Sequence, residues 1–332
     1  MAKAKKFRWG ILGCANIACK SFIPEVQSLN KNDILAIASR NLAKAKRTAK
    51  KFDIPRAYGS YDELLADPDV DGIYIPLPNH MHCEWSIKAT NAGKHVLCEK
   101  PLALNPAEVK RMIAAAKKNN VYLMEAYIQR FHPQWEYVRK TIKAGKIGKP
   151  RLLNLNYSFK ADLPKNDYRW LPEMGGGSLF DVGCYCVVAA RMLFNAEPIR
   201  IEGWQHLDRE GGIDMTTTAV LEFPGDRYAI MDSSFEALGR RRVTIQGPKG
   251  YIFLTVPWLP RTEKPTVEVV SNGKKTTYAG QIMKEYGMEA AYFADCVRKR
   301  KKLAYPPSDA VASLKIMNAI TKSARTGKAV RL

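Results

Sequence analysis

The stretch Gly93-Lys94-His95-Val96-Leu97-Cys98-Glu99-Lys100-Pro101-Leu102-Ala103 reads as a strand that ends abruptly on two opposite charges and a proline. The run 95–98 has the length and apolar character of a buried strand. Pro101 cannot donate to a ladder, and it drives Lys100 out of the helical region. The strand therefore stops at Glu99-Lys100. In an open α/β sheet the carboxyl ends of the strands line the ligand crevice, which makes Glu99 and Lys100 candidates for chemistry rather than for an ion pair in a surface turn.

Upstream, residues 7–12 read as a first strand, followed by Gly13-Cys14-Ala15-Asn16-Ile17-Ala18 and an amphipathic stretch to about residue 29. Strand, glycine turn, helix is the context in which a G-x-G-x-x-G/A fingerprint binds a dinucleotide. Ala15 replaces the middle glycine, so the motif alone is weak. A second apolar strand, 34–38, ends in Ser39-Arg40-Asn41. An NAD site places an acid there for the ribose 2′-hydroxyl, whereas an arginine accommodates the 2′-phosphate of NADP. Ser39, Arg40 and Lys44 offer three donors for one phosphate; the competing reading is a basic helix start in a basic chain.

Residues 70–75 form a central strand that breaks at Pro76-Leu77-Pro78-Asn79-His80-Met81-His82. His80 and His82 lack a cysteine or carboxylate at matching spacing, so helix-start roles are expected and no metal. Helices are expected over 61–66, 84–92 and from Pro106, with Asn105 as N-cap and Glu108 at N3. Residues 121–126 read as the last parallel strand. Repeated βαβ units thus predict a doubly wound parallel sheet of the Rossmann type over 1–126, a dinucleotide-binding domain.

From 127 to 332 the texture changes to a substrate-binding and oligomerisation domain. Segments 152–159, 200–206, 216–223, 227–235, 242–246, 251–256 and 266–270 alternate with a period of two, predicting an open, mostly antiparallel sheet with helices on one face. The uncovered face predicts a homodimer or homotetramer. Helices close the chain at 284–300 and 308–326, the last of which is allowed to pack back on the first domain. Within this half, Gly175-Gly176-Gly177-Ser178-Leu179-Phe180-Asp181-Val182-Gly183-Cys184-Tyr185-Cys186 reads as a glycine turn entering a helix. Asp181 and Tyr185, four apart, share a face and suit hydroxyl recognition and proton transfer; a dipole-stabilising aspartate and a half-buried tyrosine would read the same way.

The chain has 332 residues, 46% hydrophobic and 26% charged, which is ordinary globular composition in two domains. No apolar run approaches the roughly 20 residues that cross a bilayer, and the basic start 1–6 is not followed by an apolar signal core, so no membrane and no export are expected. Seven cysteines without a C-x-x-C pair suggest free thiols of a reducing cytoplasm. The formal charge of +21 is spread along the chain, with clusters at 240–242 and 298–302 and no nucleic-acid-binding signature. Nucleic acid is therefore not an expected partner.

Taken together, GILGCANIA (10–18), ASR (38–40), YIPLPNHMH (74–82), GKHVLCEKPLA (93–103), MEAYIQRFHP (124–133) and GGGSLFDVGCYCV (175–187) resemble the glucose-fructose oxidoreductase, inositol dehydrogenase and MocA family of NAD(P)-dependent sugar oxidoreductases. The branch most similar holds NADP-linked xylose dehydrogenases, dihydrodiol dehydrogenases and ketosugar reductases. The resemblance implies Lys100 and Tyr185 as the catalytic pair, with Asp181 orienting a substrate hydroxyl. It implies Pro76, Leu77, Asn79, His82 and Glu99 around the nicotinamide ribose, with Gly13, Cys14, Ala15, Asn16 and Ile17 at the pyrophosphate and Ser39, Arg40 and Lys44 on the 2′-phosphate. Many inositol dehydrogenases of the family carry histidine where this chain has Tyr185, which makes that activity the less expected one.

Arg130, Phe159, Arg169, Trp170 and Tyr286 are candidates for the sugar pocket, aromatics for the C–H face and donors for hydroxyls. The expected activity is NADP-dependent oxidation of an aldose at its first carbon to a lactone. The alternatives are an NADPH-dependent ketosugar reductase or trans-dihydrodiol dehydrogenase and, more distantly, a non-catalytic dinucleotide sensor. Whether Lys100 or Tyr185 relays the proton stays open.

Overall fold

A computed structural model describes residues 6–208 and 212–332; the basic start read above lies, save Lys6, outside the described residues. The chain divides into two compact units, Met1–Ile128 with Lys284–Val311, and Gln129–Met283 with Ala312–Leu332. The first unit thus takes in a helix, Glu285–Arg298, that the sequence assigned to the second domain. Its Phe293 is fully buried and meets Trp9 at 5.6 Å and Phe7 at 6.4 Å between ring centroids. Glu25 Oε2 accepts from the amides of Tyr286 (2.8 Å) and Gly287 (3.2 Å), satisfying donors at the helix start.

The first unit holds strands β1 (Phe7–Leu12), β2 (Asn32–Ala38), β3 (Arg56–Tyr58), β4 (Gly72–Ile75), β5 (His95–Glu99) and β6 (Leu123–Ala126). They lie in the order β3-β2-β1-β4-β5-β6, all parallel. The order reverses between β1 and β4, and in such a sheet the ligand crevice opens at the carboxyl ends on either side of that point. Gly13 follows β1 there, and Pro76 follows β4. Helices run over Leu42–Lys51, His82–Asn91 and Pro106–Lys118, the last capped by Asn105 Oδ1 accepting from Glu108 N at 3.0 Å. The helix after β1 begins with a π-helical turn, Ala18–Phe22, before the α-helix Ile23–Leu29.

The second unit holds β7 (Leu152–Ser158), β8 (Arg200–Leu207), β9 (Asp214–Phe223), β10 (Arg227–Ser234), β11 (Arg240–Gly247), β12 (Gly250–Leu254), β13 (Thr266–Ser271), β14 (Lys274–Ala279) and β15 (Val330–Arg331). Their order is β14-β13-β12-β11-β7-β10-β9-β8-β15, with only β7 and β10 parallel. One face is packed with Leu153, Leu155, Leu221, Met231, Val243, Ile245 and Ile252, all fully buried. Alternation puts Tyr228, Ile230, Tyr251 and Trp204 on the other face, where each is 38% exposed or more. The stretch Pro172–Phe194, a 3₁₀ turn and a glycine turn leading into a helix, is apolar enough to cross a bilayer by composition alone, but 83% of its most apolar window is buried in protein. It is a core helix of this unit.

Candidate active site

The dinucleotide end of the first unit starts at Gly13, whose φ of +96° L side chains rarely adopt. A Cβ there would also sit 3.0 Å from Leu77 Cδ2, so glycine is required on both counts. Its amide donates to Ala38 O at 2.8 Å, tying the turn to the end of β2. Cys19 N donates to Ala15 O, so helical winding starts directly after Cys14 and Ala15, with Asn16 exposed and Ile17 half-buried at its mouth.

At the end of β2, Ser39 is buried and its Oγ accepts from Asn41 N at 3.2 Å. Asn41 caps the next helix by accepting from Lys44 N at 3.0 Å. Arg40 and Lys44 are both exposed, and Arg40 lies by the Tyr61 hydroxyl. Sequence reasoning missed Tyr61, whose ring is buried against Trp85. A turn with positive φ, a helix mouth and two solvent-facing cations fit a dinucleotide carrying an extra phosphate.

Around β4 and β5 the side chains brace one another. His82 is fully buried, with Nε2 2.7 Å from Leu77 O and Nδ1 2.9 Å from Pro101 O. Burial, helped by the nearby charge of Lys100, pushes its pKa down to about 4, so the ring is neutral and donates to one of the two carbonyls. The expectation that His82 lines the ribose is corrected accordingly: it ties the loop after β4 to the loop after β5. Asn79 is buried at the 3₁₀ turn Asn79–Met81, and Pro76 and Leu77 are buried before it.

Glu99 is half-buried, and its Oε1 accepts from the Tyr74 hydroxyl at 2.6 Å. Tyr74 is stacked on Phe22 at 3.7 Å, and burial, then the Glu99 carboxylate, holds its phenol well above the ordinary range. Lys100 follows, half-buried, with a cis peptide bond to Pro101. Glu125, buried at the end of β6, accepts from Leu102 N at 2.7 Å and fixes the chain beyond the proline. Tyr286, read as a sugar contact, is 3% exposed at the start of the helix Glu285–Arg298 and close enough to Tyr74 to raise its pKa further.

In the second unit the helix bearing Asp181 and Tyr185 also begins with a π-helical turn, Leu179–Gly183, continued as the α-helix Cys184–Phe194. Such turns recur at functional sites because they displace side chains from ordinary helical positions. Arg169 Nε lies 3.2 Å from Asp181 Oδ2, and its Nη1 lies 3.0 Å from Asp167 Oδ1. Although burial opposes its charge, the Asp181 carboxylate and its neighbours raise the Arg169 pKa further above its already high value. Arg169, expected to greet a sugar hydroxyl, is here ion-paired with Asp181 and Asp167.

Tyr185 is 4% exposed inside an aromatic box that sequence reasoning missed: Tyr157 at 5.5 Å and Trp258 at 5.9 Å, with Trp135 stacked on Trp258 at 5.4 Å. Trp258 Nε1 donates to Asn156 O, and Arg241 covers Tyr157 at 5.3 Å. The signal lay in the alternation of β7, which sends Tyr157 inward two residues before Phe159. Phe159 and Trp170 share a neighbour, Phe235, at 5.3 and 5.9 Å, so these two candidates are brought together. Arg130 is 8% exposed on the turn Ile128–Phe131. Among the described residues, no group of three or more histidine, cysteine and acidic side chains is placed to hold a metal ion.

A unit built on a parallel sheet with a glycine turn at its switch point, and a second unit carrying an acid and a phenol on one helix, define a dinucleotide-dependent oxidoreductase. Residues 7–127 match the oxidoreductase family with an NAD-binding Rossmann fold, and residues 135–253 match the C-terminal domain of the same family. The chain belongs to the glucose-fructose oxidoreductase, inositol dehydrogenase and MocA family, and is an oxidoreductase acting on sugars. It is 35% identical to an NADP-dependent D-xylose 1-dehydrogenase of Haloferax volcanii, over 98% of this chain and 99% of that one. The aldose-aldose oxidoreductase of Caulobacter crescentus, solved with glycerol, superposes with a TM-score of 0.92 at 27% identity, covering 99% of this chain and 100% of that chain. A 3-ketoreductase of Actinomadura kijaniata, solved with NADP and TDP-benzene, superposes with a TM-score of 0.90 at 26% identity, covering 96% and 98%.

Proposed function

We propose that the chain is an NADP-dependent aldose 1-dehydrogenase that oxidises the anomeric hydroxyl of a free sugar to a lactone. The observation that carries the cofactor choice is the end of β2, where Ser39, Arg40 and Lys44 stand and no acid does. The whole-length similarity to an NADP-dependent xylose dehydrogenase supports the substrate class. Gly13, Cys14, Ala15, Asn16 and Ile17 would hold the pyrophosphate; Pro76, Leu77, Asn79 and Glu99 would frame the nicotinamide ribose.

The bound nicotinamide supplies the hydride acceptor. The chain's own task is to take the hydroxyl proton while the C–H bond breaks. An ordinary phenol, with a pKa of about 10, keeps its proton at neutral pH. In this proposal the Lys100 ammonium serves the same substrate oxygen as Tyr185, stabilising a phenolate or contacting the hydroxyl itself. Asp181, held by Arg169, accepts from a neighbouring sugar hydroxyl, and Phe159 and Trp170 offer faces to the sugar's C–H side.

A second reading, reduction of a ketosugar by the same groups in reverse, is favoured by the likeness to the 3-ketoreductase. A panel of aldoses and ketosugars, followed by NADPH absorbance in both directions, tests the proposal. Lactone formation from an aldose with NADP supports it; turnover confined to ketosugar reduction replaces it with the second reading.

We further propose a homodimer or homotetramer formed through the open face of the second unit's sheet. Tyr228 pairs with Leu152 and Ile230 with Val220 across strands, giving neighbouring apolar rows, and Trp204 is 57% exposed on the same face. The seven cysteines are all free thiols, which supports a cytoplasmic setting.

A further inference from the structure

The helix that carries Asp181 and Tyr185 starts without a cap of its own. Ser178, the residue in the capping position, has helical dihedrals and makes no capping hydrogen bond with its side chain. Asp214, at the start of β9 and 7% exposed, takes over from a distant point in the chain. Its Oδ2 accepts from Leu179 N at 2.7 Å, Ser178 Oγ at 2.8 Å and Thr217 Oγ1 at 2.6 Å. Its Oδ1 lies against Gly177, where a Cβ would come within 2.0 Å. Ser178 Oγ also meets Ser233 Oγ of β10 at 3.1 Å, and a Cβ on Gly183 would lie 2.8 Å from that same oxygen. The π-helical turn is therefore seated on β9 and β10 with no slack, and its buried amide at the helix start finds its acceptor in one carboxylate.

We propose that Asp214 is a positioning residue for the reaction: it clamps the first turn of the helix and thereby sets where Asp181 and Tyr185 are presented to substrate. This rests on the reading of those two as substrate-contacting groups. A carboxylate whose three donors converge on one oxygen can be replaced by an amide that keeps an oxygen there, and the clamp distinguishes this swap from truncation. Wide helical turns are intrinsically less favourable than α-helical ones, so a turn held only by its own backbone relaxes when the clamp is removed.

The test compares Asp214→Ala, Asp214→Asn and Gly177→Ala in the full chain. The first readout is the ring-carbon resonance of Tyr185 in protein labelled with 13C-tyrosine, assigned through Tyr185→Phe; the second is steady-state kinetics with NADP and an aldose. Asp214→Ala is expected to shift the Tyr185 resonance and lower kcat at least about tenfold, with NADPH Kd changed less than about twofold. Gly177→Ala, which drives a methyl into Oδ1 and also strains the turn at its φ of +99°, should show both effects at least as strongly. Asp214→Asn should stay within about threefold of wild type. Should Asp214→Ala fail to fold, Thr217→Val and Ser178→Ala, each removing one donor to Oδ2, should shift the Tyr185 resonance in the same direction by a smaller amount.

An unmoved Tyr185 resonance with full kcat in a folded Asp214→Ala or Gly177→Ala variant would overturn the proposal, as would an Asp214→Asn variant as damaged as Asp214→Ala. Wild-type protein without sugar turnover would sink the functional reading alone, since the resonance still decides whether Asp214 places Tyr185.

Discussion

Arg169 and Asp181 form an ion pair at 3.2 Å, with the guanidinium held on its other side by Asp167. An arginine gripped by two carboxylates is a poor free donor for a sugar, but it fixes the rotamer of the acid proposed to accept from one. Arg169→Met should lower kcat/KM for the sugar by about tenfold to a hundredfold while NADPH Kd stays near wild type. Arg169→Lys should restore little, because an ammonium cannot reproduce the two-sided fork. Steady-state kinetics on the three proteins check this, and a fully active Arg169→Lys would refute the orienting role.

Of the groups proposed to hold the 2′-phosphate at the end of β2, Arg40 offers the largest donor fork. Arg40→Ala should weaken NADP binding by roughly tenfold or more and leave NAD nearly unchanged, since only NADP carries the phosphate to be gripped. Calorimetric titration with both nucleotides reads the difference. Equal losses would remove the phosphate clamp from the account.

His82 makes stability depend on pH. Its ring is held neutral down to about pH 4 in the folded chain against an ordinary value of 6.5. Between those values the unfolded chain binds a proton that the folded chain refuses, so stability is complete above the ordinary value and falls as pH drops toward the lower one. The loss attributable to this ring is up to about 3 kcal/mol. Urea midpoints across that window should fall more steeply for wild type than for His82→Gln; parallel slopes would show that the ring titrates normally.

The parallel sheet was legible because its strands are short apolar runs ended by glycine, proline or charge: 95–98 against the observed His95–Glu99, and 7–12 against Phe7–Leu12. What escaped were strands stabilised by something other than apolar alternation. β3 is three residues long, and Arg56 and Tyr58 are held by Asp67, with Arg56 also bound to Asp69. β14 is an edge of lysines and threonines, mostly exposed, that survives by pairing with β13. The helix Glu285–Arg298 was assigned to the wrong unit because its deciding contact, Phe293 on Trp9, joins residues far apart in sequence.

In the candidate site, residue types were readable where a backbone break announced them, as at Glu99-Lys100-Pro101 and Gly176-Gly177-Ser178. Their burial was not. His82 has the right chemistry for a ligand yet is fully buried between two loops, while Asp214 and Trp258 act through partners that only folding brings near. Periodicity places a side chain on a face; it does not say what covers the face.

The open sheet face predicts association. Ile230→Asp places a charge in the middle of its apolar row, and light scattering should report a smaller particle than wild type at the same concentration. A monomeric wild type would refute the oligomer, and an unchanged mass in the variant would move the interface elsewhere.

In the proposed reaction the Lys100 ammonium and the Tyr185 phenol serve a single hydroxyl. The deciding measurement is kcat/KM for Lys100→Met, Tyr185→Phe and the double variant. Each single substitution should cost about a hundredfold or more, and the double variant should be no slower than the slower single one within about threefold, because groups that work as a unit lose their effect together. Losses that multiply in the double variant, or a single variant with wild-type turnover, would contradict it.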